Sequence, residues 1–268
     1  MKPRLSVVII THNEERNIRR CLASVRAARN RGVRVIETIV VDSRSTDRTV
    51  TLARSFGARV FVRPWPGYSA QKNWALERCR GDWILSLDAD EEMTDLLWDE
   101  IARVLSGTPD DVDGYFIPRR AYFAGRWIRH CGWWPDAQLR LIRAGRGKFN
   151  GNPVHEGLEV EGRTETLREA MEHYSYDSIS HYLRKMEDYS TLAAARPPAK
   201  KVRFWPYYLL INPIVVFFRM YVTRRGFLDG WHGLVVCVLS TFHEFVKYAK
   251  VWERHVLKRG TGTDETRR

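Results

Sequence analysis

The sequence predicts an α/β fold: a mostly parallel sheet with helices on both faces, followed by amphipathic helices at the C-terminus. Three observations predict it. Short continuous apolar runs, such as Leu5-Ser6-Val7-Val8-Ile9-Ile10 and Trp83-Ile84-Leu85-Ser86-Leu87, read as strands buried on both faces. Segments with apolar residues at helical spacing alternate with them, which implies right-handed crossovers and a parallel sheet. Polar clusters follow the strands directly, at the carboxyl ends where such sheets hold ligands. A chain of 268 residues allows one large domain or a domain with an appendage, and 44% hydrophobic with 28% charged residues excludes a disordered chain.

Taken in order, Leu5 to Ile10 is the first strand and Thr11-His12-Asn13-Glu14-Glu15 the loop after it. A helix over residues 17–28 follows, with Ile18, Cys21, Leu22 and Val25 on its apolar face. Val35 to Val41 is the second strand and ends at Asp42. Ser45-Thr46-Asp47 opens a helix that runs to Phe56. Ala58 to Val62 is a third strand, residues 70–80 a helix, and Trp83 to Leu87 a strand that ends in Asp88-Ala89-Asp90. Residues 114–118 and 138–143 read as strands around an aromatic, basic segment from Tyr122 to Trp134. A strand at 157–160 and an amphipathic helix over 178–195 complete this part, and Pro197-Pro198 marks a boundary. The expected division is an α/β domain over 1–196 and a helical, basic and aromatic tail over 197–268.

Charge is unevenly spread. Residues 196–268 carry 14 Lys/Arg against 5 Asp/Glu, out of a net charge of +12 for the whole chain. Such a tail suits an anionic membrane surface or nucleic acid. Its aromatics cluster with aliphatics (Trp205 to Val222, Trp231 to Phe242) and do not interleave with the basic residues, which disfavours nucleic acid. Neither run reaches the roughly 20 apolar residues of a spanning helix. Apolar helices with Trp, Tyr and flanking Arg or Lys suit the plane of a membrane interface, the alternative being a helical pair packed on the domain or in a dimer contact. Cys21, Cys79, Cys131 and Cys237 show neither metal-ligand nor disulfide spacing, as in a reducing compartment. Met1-Lys2-Pro3-Arg4-Leu5 leads straight into a strand, so no cleavable signal peptide is expected.

The chemistry concentrates at Asp88-Ala89-Asp90. Two carboxylates held at a strand end suit a hard divalent cation shared with substrate phosphates. Asp-x-Asp alone is common, but Thr11 to Glu14 and Asp42 are expected on the same rim.

In combination these segments resemble family 2 glycosyltransferases. Ser6 to Glu14 resembles their opening strand and loop, and Val40-Val41-Asp42-Ser43-Arg44-Ser45-Thr46-Asp47 their second motif. Asp88-Ala89-Asp90 sits where their metal-binding Asp-x-Asp sits, with Gln71-Lys72-Asn73 in the helix before it. Trp133 to Leu141, Val154-His155-Glu156 and Arg225-Gly226-Phe227-Leu228-Asp229-Gly230 look like the bacterial branch that adds β-glucose to the heptose of the lipopolysaccharide inner core. Ser43 and Arg44 depart from the family, which usually has a second acid and often a glycine there; this arginine could reach a phosphate or an anionic acceptor.

The resemblance implies a GT-A fold, a nucleotide-diphosphate sugar donor (a UDP-sugar, with glucose), Mg2+ or Mn2+ as cofactor, and inversion at the anomeric carbon. It implies Asp90 as metal ligand, with Asp88 assisting through the metal or the ribose and His155 a further ligand or an orienter of Glu156. Thr11, Glu14 and Asp42 would line the base and ribose, and Lys72 would face the phosphates or sugar. Gln138 and Arg140 are candidates for the acceptor or diphosphate side. Inversion needs a carboxylate to take the acceptor proton: Glu156 is the preferred base and Asp136 the alternative. Each of these also has a plain structural reading, such as a strand-end cap for Asp88 or a turn residue for Asp42. The implied partners are a lipid-linked glycan acceptor and an anionic membrane surface, with no nucleic acid, at the cytoplasmic face of the bacterial inner membrane. Competing expectations are a family 2 enzyme acting on polyprenyl phosphate or an exopolysaccharide intermediate, and a non-catalytic membrane-surface or nucleic-acid-binding protein.

Overall fold

The computed structural model describes residues 3–107, 109, 111–151, 157–195, 197 and 199–257. In chain order the first elements are β1 (Arg4–Thr11), α1 (Ile18–Ala27), β2 (Arg34–Asp42), α2 (Thr49–Ser55), β3 (Arg59–Val62), α3 (Tyr68–Leu76), β4 (Trp83–Asp88), β5 (Glu91–Glu92) and α4 (Asp95–Gly107). There follow β6 (Val112–Ile117), β7 (Arg119–Phe123), β8 (Arg126–Trp127), β9 (Gln138–Arg143), β10 (Gly147–Phe149), β11 (Leu158–Val160), β12 (Arg163–Thr166) and β13 (Met171–Tyr176). The remaining helices are α5 (Ile179–Ala195), α6 (Ala199–Arg203), α7 (Asn212–Phe218) and α8 (Gly230–Trp252).

Two compact units form. One comprises Met1–Ala121 with Pro135–Ser175, the other Tyr122–Trp134 with Tyr176–Arg268. This differs from a division at Pro197-Pro198. The physical reason is a shared apolar cluster: Phe123, Ile128 and Cys131 pack with Tyr182 and Met186 of α5 and with Val216, Met220, Val236 and Cys237 of the tail.

The first unit holds a seven-stranded sheet in the order β12-β6-β9-β4-β1-β2-β3. It is parallel except for β9, which runs antiparallel to both β4 and β6. The alternation of side chains along each strand explains the helices on both faces. Leu5, Val7, Ile9, Leu85 and Leu87 share one cluster with Ile18, Cys21, Leu22 and Val25 of α1 and with Leu97, Trp98, Ile101 and Leu105 of α4. Val8, Ile39, Val41 and Ile84 face the other way and pack with Ala75 of α3. Register then fixes the rim: Thr11 pairs with Asp42, and Ile10 with Asp88, so the carboxyl ends of β1, β2 and β4 are level. At the opposite end of β4 the backbones are tightly stacked, and a Cβ on Gly81 would lie 2.6 Å from the Ser6 nitrogen.

Several elements differ from the sequence reading. The helix expected to open at Ser45-Thr46-Asp47 begins at Thr49, whose N–H donates to the Asp47 carboxylate at 2.9 Å, so Asp47 stands before the first turn and takes up one of its N–H groups. The helix expected over 70–80 is α3, which starts two residues earlier at Tyr68 and ends at Leu76, four residues short of Arg80. Helix α4 and strands β12 and β13 have no counterpart in the reading.

In the second unit α5 and α8 are clamped together: Lys250 Nζ donates to Ser190 Oγ at 2.8 Å and to Thr191 Oγ1 at 2.7 Å. Asn212 Nδ2 donates to Glu244 Oε2 at 3.0 Å, tying α7 to α8. The Arg225 to Gly233 segment packs backbone to backbone. A Cβ on Gly226 would lie 2.8 Å from Cys131 Sγ, and one on Gly233 would lie 2.0 Å from the Gly226 carbonyl oxygen. Among the described residues no helix is long and apolar enough to cross a membrane.

Candidate active site

The rim of the sheet carries two hydrogen-bonded groups of side chains. In the first, Asp42 is fully buried at the end of β2. Its carboxylate accepts from Thr11 Oγ1 at 2.9 Å and from the Ser45 N–H at 2.8 Å. These bonds stitch the loops after β1 and β2. Asn13 N donates to Ser45 Oγ and Thr46 N to Asn13 Oδ1, each at 2.8 Å. Arg44, exposed in that loop, has φ of +60°. Glycine adopts this left-handed conformation most easily, which is why a glycine suits the position where this chain has arginine. Glu14 is placed at the start of α1, where its Oε2 accepts from Asn17 Nδ2 at 2.8 Å. Gln71 of α3, also buried, donates from Nε2 to Ser43 Oγ at 3.1 Å, while its Oε1 is buried without a protein partner. An orphaned buried acceptor beside this loop fits a ligand that brings a donor, as a nucleotide base does.

The second group is a chain of alternating charges. Lys72 Nζ lies 2.9 Å from Asp88 Oδ1, and Arg140 Nη2 lies 2.5 Å from both Asp88 Oδ2 and Glu91 Oε1. Glu91 Oε1 also accepts from Arg119 Nη1 at 3.0 Å, and Arg119 binds the Asp136 carboxylate. Gln138 Nε2 closes the chain on Asp136 Oδ1 at 2.8 Å. The backbone N–H of Asp88 donates to Glu91 Oε2 at 2.9 Å, so the turn between β4 and β5 is fixed by its own acid. Lys72, Arg140 and Glu91 are buried, and a buried charge persists only when paired.

The charges set the protonation states. Burial disfavours the ionised form of Asp88, but the Arg140 and Lys72 cations outweigh it and hold the carboxyl well below the usual range. At Asp136 burial likewise opposes ionisation, and Arg119 with Gln138 overrides it and lowers the pKa. Burial works against the Arg140 cation too, yet Asp88 and Glu91 raise its pKa.

Asp90 stands apart from that chain. Its Oδ2 lies 3.6 Å from His173 Nε2, and its carbonyl accepts from the Tyr174 N–H at 2.9 Å. Pairing of β13 with β5, which sets His173 opposite Glu91, brings this imidazole to the rim. Among the described residues no group of three His, Cys, Asp or Glu side chains forms a ready-made metal centre. One carboxylate and one imidazole are nonetheless donors that suit a divalent cation whose other ligands come from phosphate or water. Burial and the negative charges of Glu91, Asp90 and Asp88 together push the Cys21 thiol well up, so this end of the site is electronegative.

The structure thus brings together Lys72, Asp88, Asp136, Gln138 and Arg140, places Thr11 on Asp42, and sets Glu14 and Asp90 at neighbouring loop and strand ends. Glu156 and His155 lie outside the described residues. Sequence reasoning missed Glu91, Arg119 and His173. Glu91 had a signal, since it directly follows the Asp-x-Asp; the other two are set only by strand pairing.

The chain matches the model of glycosyl transferase family 2 over residues 6–155. It belongs to glycosyltransferase family 2. The relatives extend the likeness beyond the matched region. A lipopolysaccharide core biosynthesis glycosyltransferase of Rhizobium meliloti is 31% identical over 275 residues, covering 97% of this chain and 96% of that one. An uncharacterized glycosyltransferase of Rickettsia felis is 32% identical over 289 residues, covering 99% and 97%. Among solved structures, a mannosyltransferase from Pyrobaculum calidifontis in complex with GDP-Man and Mn2+ superposes with a TM-score of 0.52 at 14% identity, over 95% of this chain and 89% of that one. That likeness concerns the fold, and the family 2 enzyme described here has the α/β GT-A architecture. It is a glycosyltransferase.

Proposed function

We propose that this glycosyltransferase is metal-dependent and inverting, and that it moves glucose from UDP-glucose onto the heptose of a lipopolysaccharide inner core. The observation that carries the reading is the division of labour at one rim: Asp88 is bound to Lys72 and Arg140, while Asp90, two residues on, faces His173. The near full-length similarity to the Rhizobium meliloti enzyme supports the acceptor class.

Breaking the bond from sugar to diphosphate builds negative charge on the leaving phosphate. Lys72 and Arg140 hold Asp88 at the end of β4 and so fix the turn that presents Asp90. Asp90, with His173 beside it, would hold a divalent ion, which supplies Lewis-acid stabilisation of the diphosphate when bound. The Thr11–Asp42–Ser45 network shapes the wall for the nucleoside, and Gln71 Oε1 offers it an acceptor. Inversion in one displacement needs a base on the acceptor side. Asp136 is poorly suited, because Arg119 and Gln138 occupy its oxygens and lower its pKa. Glu156 remains our assignment.

A peripheral site at the cytoplasmic face of the inner membrane belongs to the same proposal. Tyr207, Ile211, Ile214, Phe218 and Val222 are all exposed and recur at helical spacing, while Pro213, Val216 and Met220 on the opposite side are buried. An outward apolar stripe on a basic unit suits an anionic lipid surface.

The test is transfer in vitro: the protein, Mg2+ or Mn2+, a panel of nucleotide sugars, and lipopolysaccharide truncated at the inner-core heptose. Addition of one hexose from UDP-glucose supports the reading. Transfer only to polyprenyl phosphate, or full activity in the presence of EDTA, contradicts it.

A further inference from the structure

A cavity of about 410 Å³ opens in the second unit, lined by Arg126, Trp127, Arg129, His130, Leu228 and Asp229. None of these residues belongs to the rim described above. Arg126 and Arg129 are exposed, and neither is in an ion pair among the described residues. Arg119, Arg120, Arg140 and Arg143, by contrast, each hold an acid. Two guanidinium groups at one opening, neither held by an acid among the described residues, suit an oxyanion, above all a phosphate, which arginine binds bidentately.

The lining is built to keep its shape. Asp229 is buried, and its carboxylate accepts from the His130 N–H at 2.8 Å and the Arg129 N–H at 3.3 Å. His130 Nδ1 lies 3.1 Å from the same carboxylate and donates to it, which fixes the ring. The lone acid of the lining is therefore engaged in holding the arginine-bearing loop. Behind it, Gly226 and Gly233 leave no room for a Cβ, so the floor is close-packed. Trp127 lines the same cavity, with the Arg129 guanidinium over its ring 4.5 Å from the centroid and the Trp134 ring nearly perpendicular at 5.4 Å. An indole beside two arginines matches a pyranose ring carrying a phosphate. On the other side Leu228 lines the cavity and is 53% exposed, and its neighbours Phe227 and Trp231 are exposed at 48% and 80%. An anion site edged by exposed apolar residues suits an amphiphile with a phosphorylated head.

We propose that this cavity binds a phosphorylated sugar of a glycolipid, Arg126 and Arg129 taking the phosphomonoester and Trp127 the sugar face. Assigning that glycolipid as the acceptor rests on the proposed transferase function.

The experiment uses the full-length protein and phosphatidylcholine vesicles doped with phosphorylated lipid A, with its phosphatase-treated form, or with phosphatidylglycerol at equal charge. Wild-type protein is expected to bind the phosphorylated glycolipid at least about tenfold more tightly than either other vesicle. Arg126→Gln with Arg129→Gln is expected to abolish that preference, and the charge-matched control Arg26→Gln with Arg29→Gln to keep it. Binding of the pocket variant within about twofold of wild type overturns the proposal, as does equal binding to phosphatidylglycerol, which would mean attraction to bulk anionic lipid. Binding of UDP-glucose is measured in the same proteins and should be unchanged by the pocket substitutions. A wild-type protein that binds no nucleotide sugar sinks the transferase reading while leaving the glycolipid result to stand.

Discussion

Lys72 Nζ sits 2.9 Å from Asp88 Oδ1, and this contact joins a buried lysine of α3 to the first acid of Asp88-Ala89-Asp90. Arg140 of β9 takes the other oxygen. The two acids of the motif therefore do different work: Asp88 anchors the turn, and Asp90 is presented by it.

Substitution should separate these roles. Asp90→Asn is expected to lower kcat by about 100-fold or more, in the range for loss of a metal-linked interaction, while the melting temperature changes little. Asp88→Asn should lower both activity and stability, because Lys72 and Arg140 lose their common partner. Steady-state kinetics at saturating Mn2+ and thermal melts of the same proteins check this.

Arg140→Met tests the charge chain. Removing one member of a buried network costs about 3 kcal/mol or more, since the remaining charges stay buried. Glu91 is fully buried and would retain only Arg119 among its two cationic contacts. A urea-midpoint shift of that size at pH 7 is the expected outcome.

The same chain sets an acid limit. The folded-state pKa values of Asp88 and Asp136 lie below the ordinary value, so the unfolded chain binds protons more readily. Their ionised forms therefore stabilise the fold. That contribution is complete above the unfolded pKa, about pH 4, and is lost as pH falls through the lower folded values. Urea midpoints of the wild type should drop steeply below pH 4, and Arg140→Met should show a shallower drop.

How far the site was legible follows from the same contacts. Thr11, Asp42, Asp88 and Asp90 were visible because each ends or follows an apolar strand, and parallel strand ends share a rim. Arg119 was not, because only the antiparallel placement of β9 and the path of β7 bring it to Glu91. His173 depends in the same way on β13 pairing with β5. Helix α4 did carry a local signal, with Leu97, Trp98, Ile101 and Leu105 buried on one side, but no polar motif directed the reading to it. The compact units divide elsewhere than at the prolines because Phe123 and Ile128 pack with α5 and α8, a long-range association that leaves no mark at either end of the segment.

Gly226 and Gly233 test the close-packed floor of the second unit. Gly233→Ala puts a methyl group 2.0 Å from the Gly226 carbonyl oxygen and should cost about 1–3 kcal/mol or prevent folding. Gly107→Ala, where nothing lies within 4 Å, is the control and should be close to neutral. Chemical denaturation followed by tryptophan fluorescence distinguishes them.

The outward stripe predicts lipid binding. Replacing Ile211, Ile214 and Phe218 together by serine should reduce co-sedimentation with anionic vesicles at least about tenfold, because each large apolar side chain contributes up to about 1.5–3 kcal/mol when fully buried. The substitutions lie on exposed positions, so the far-UV circular dichroism should be unchanged. Undiminished sedimentation would remove the interfacial role.

The central claim, a hexose transfer to the lipopolysaccharide core that depends on Asp90, is tested most directly by mass spectrometry of core oligosaccharide from a strain lacking this gene. The account predicts a core lighter by one hexose, restored by the wild-type gene and not by one encoding Asp90→Asn. A core of unchanged mass in the deletion strain, or full restoration by Asp90→Asn, would contradict it.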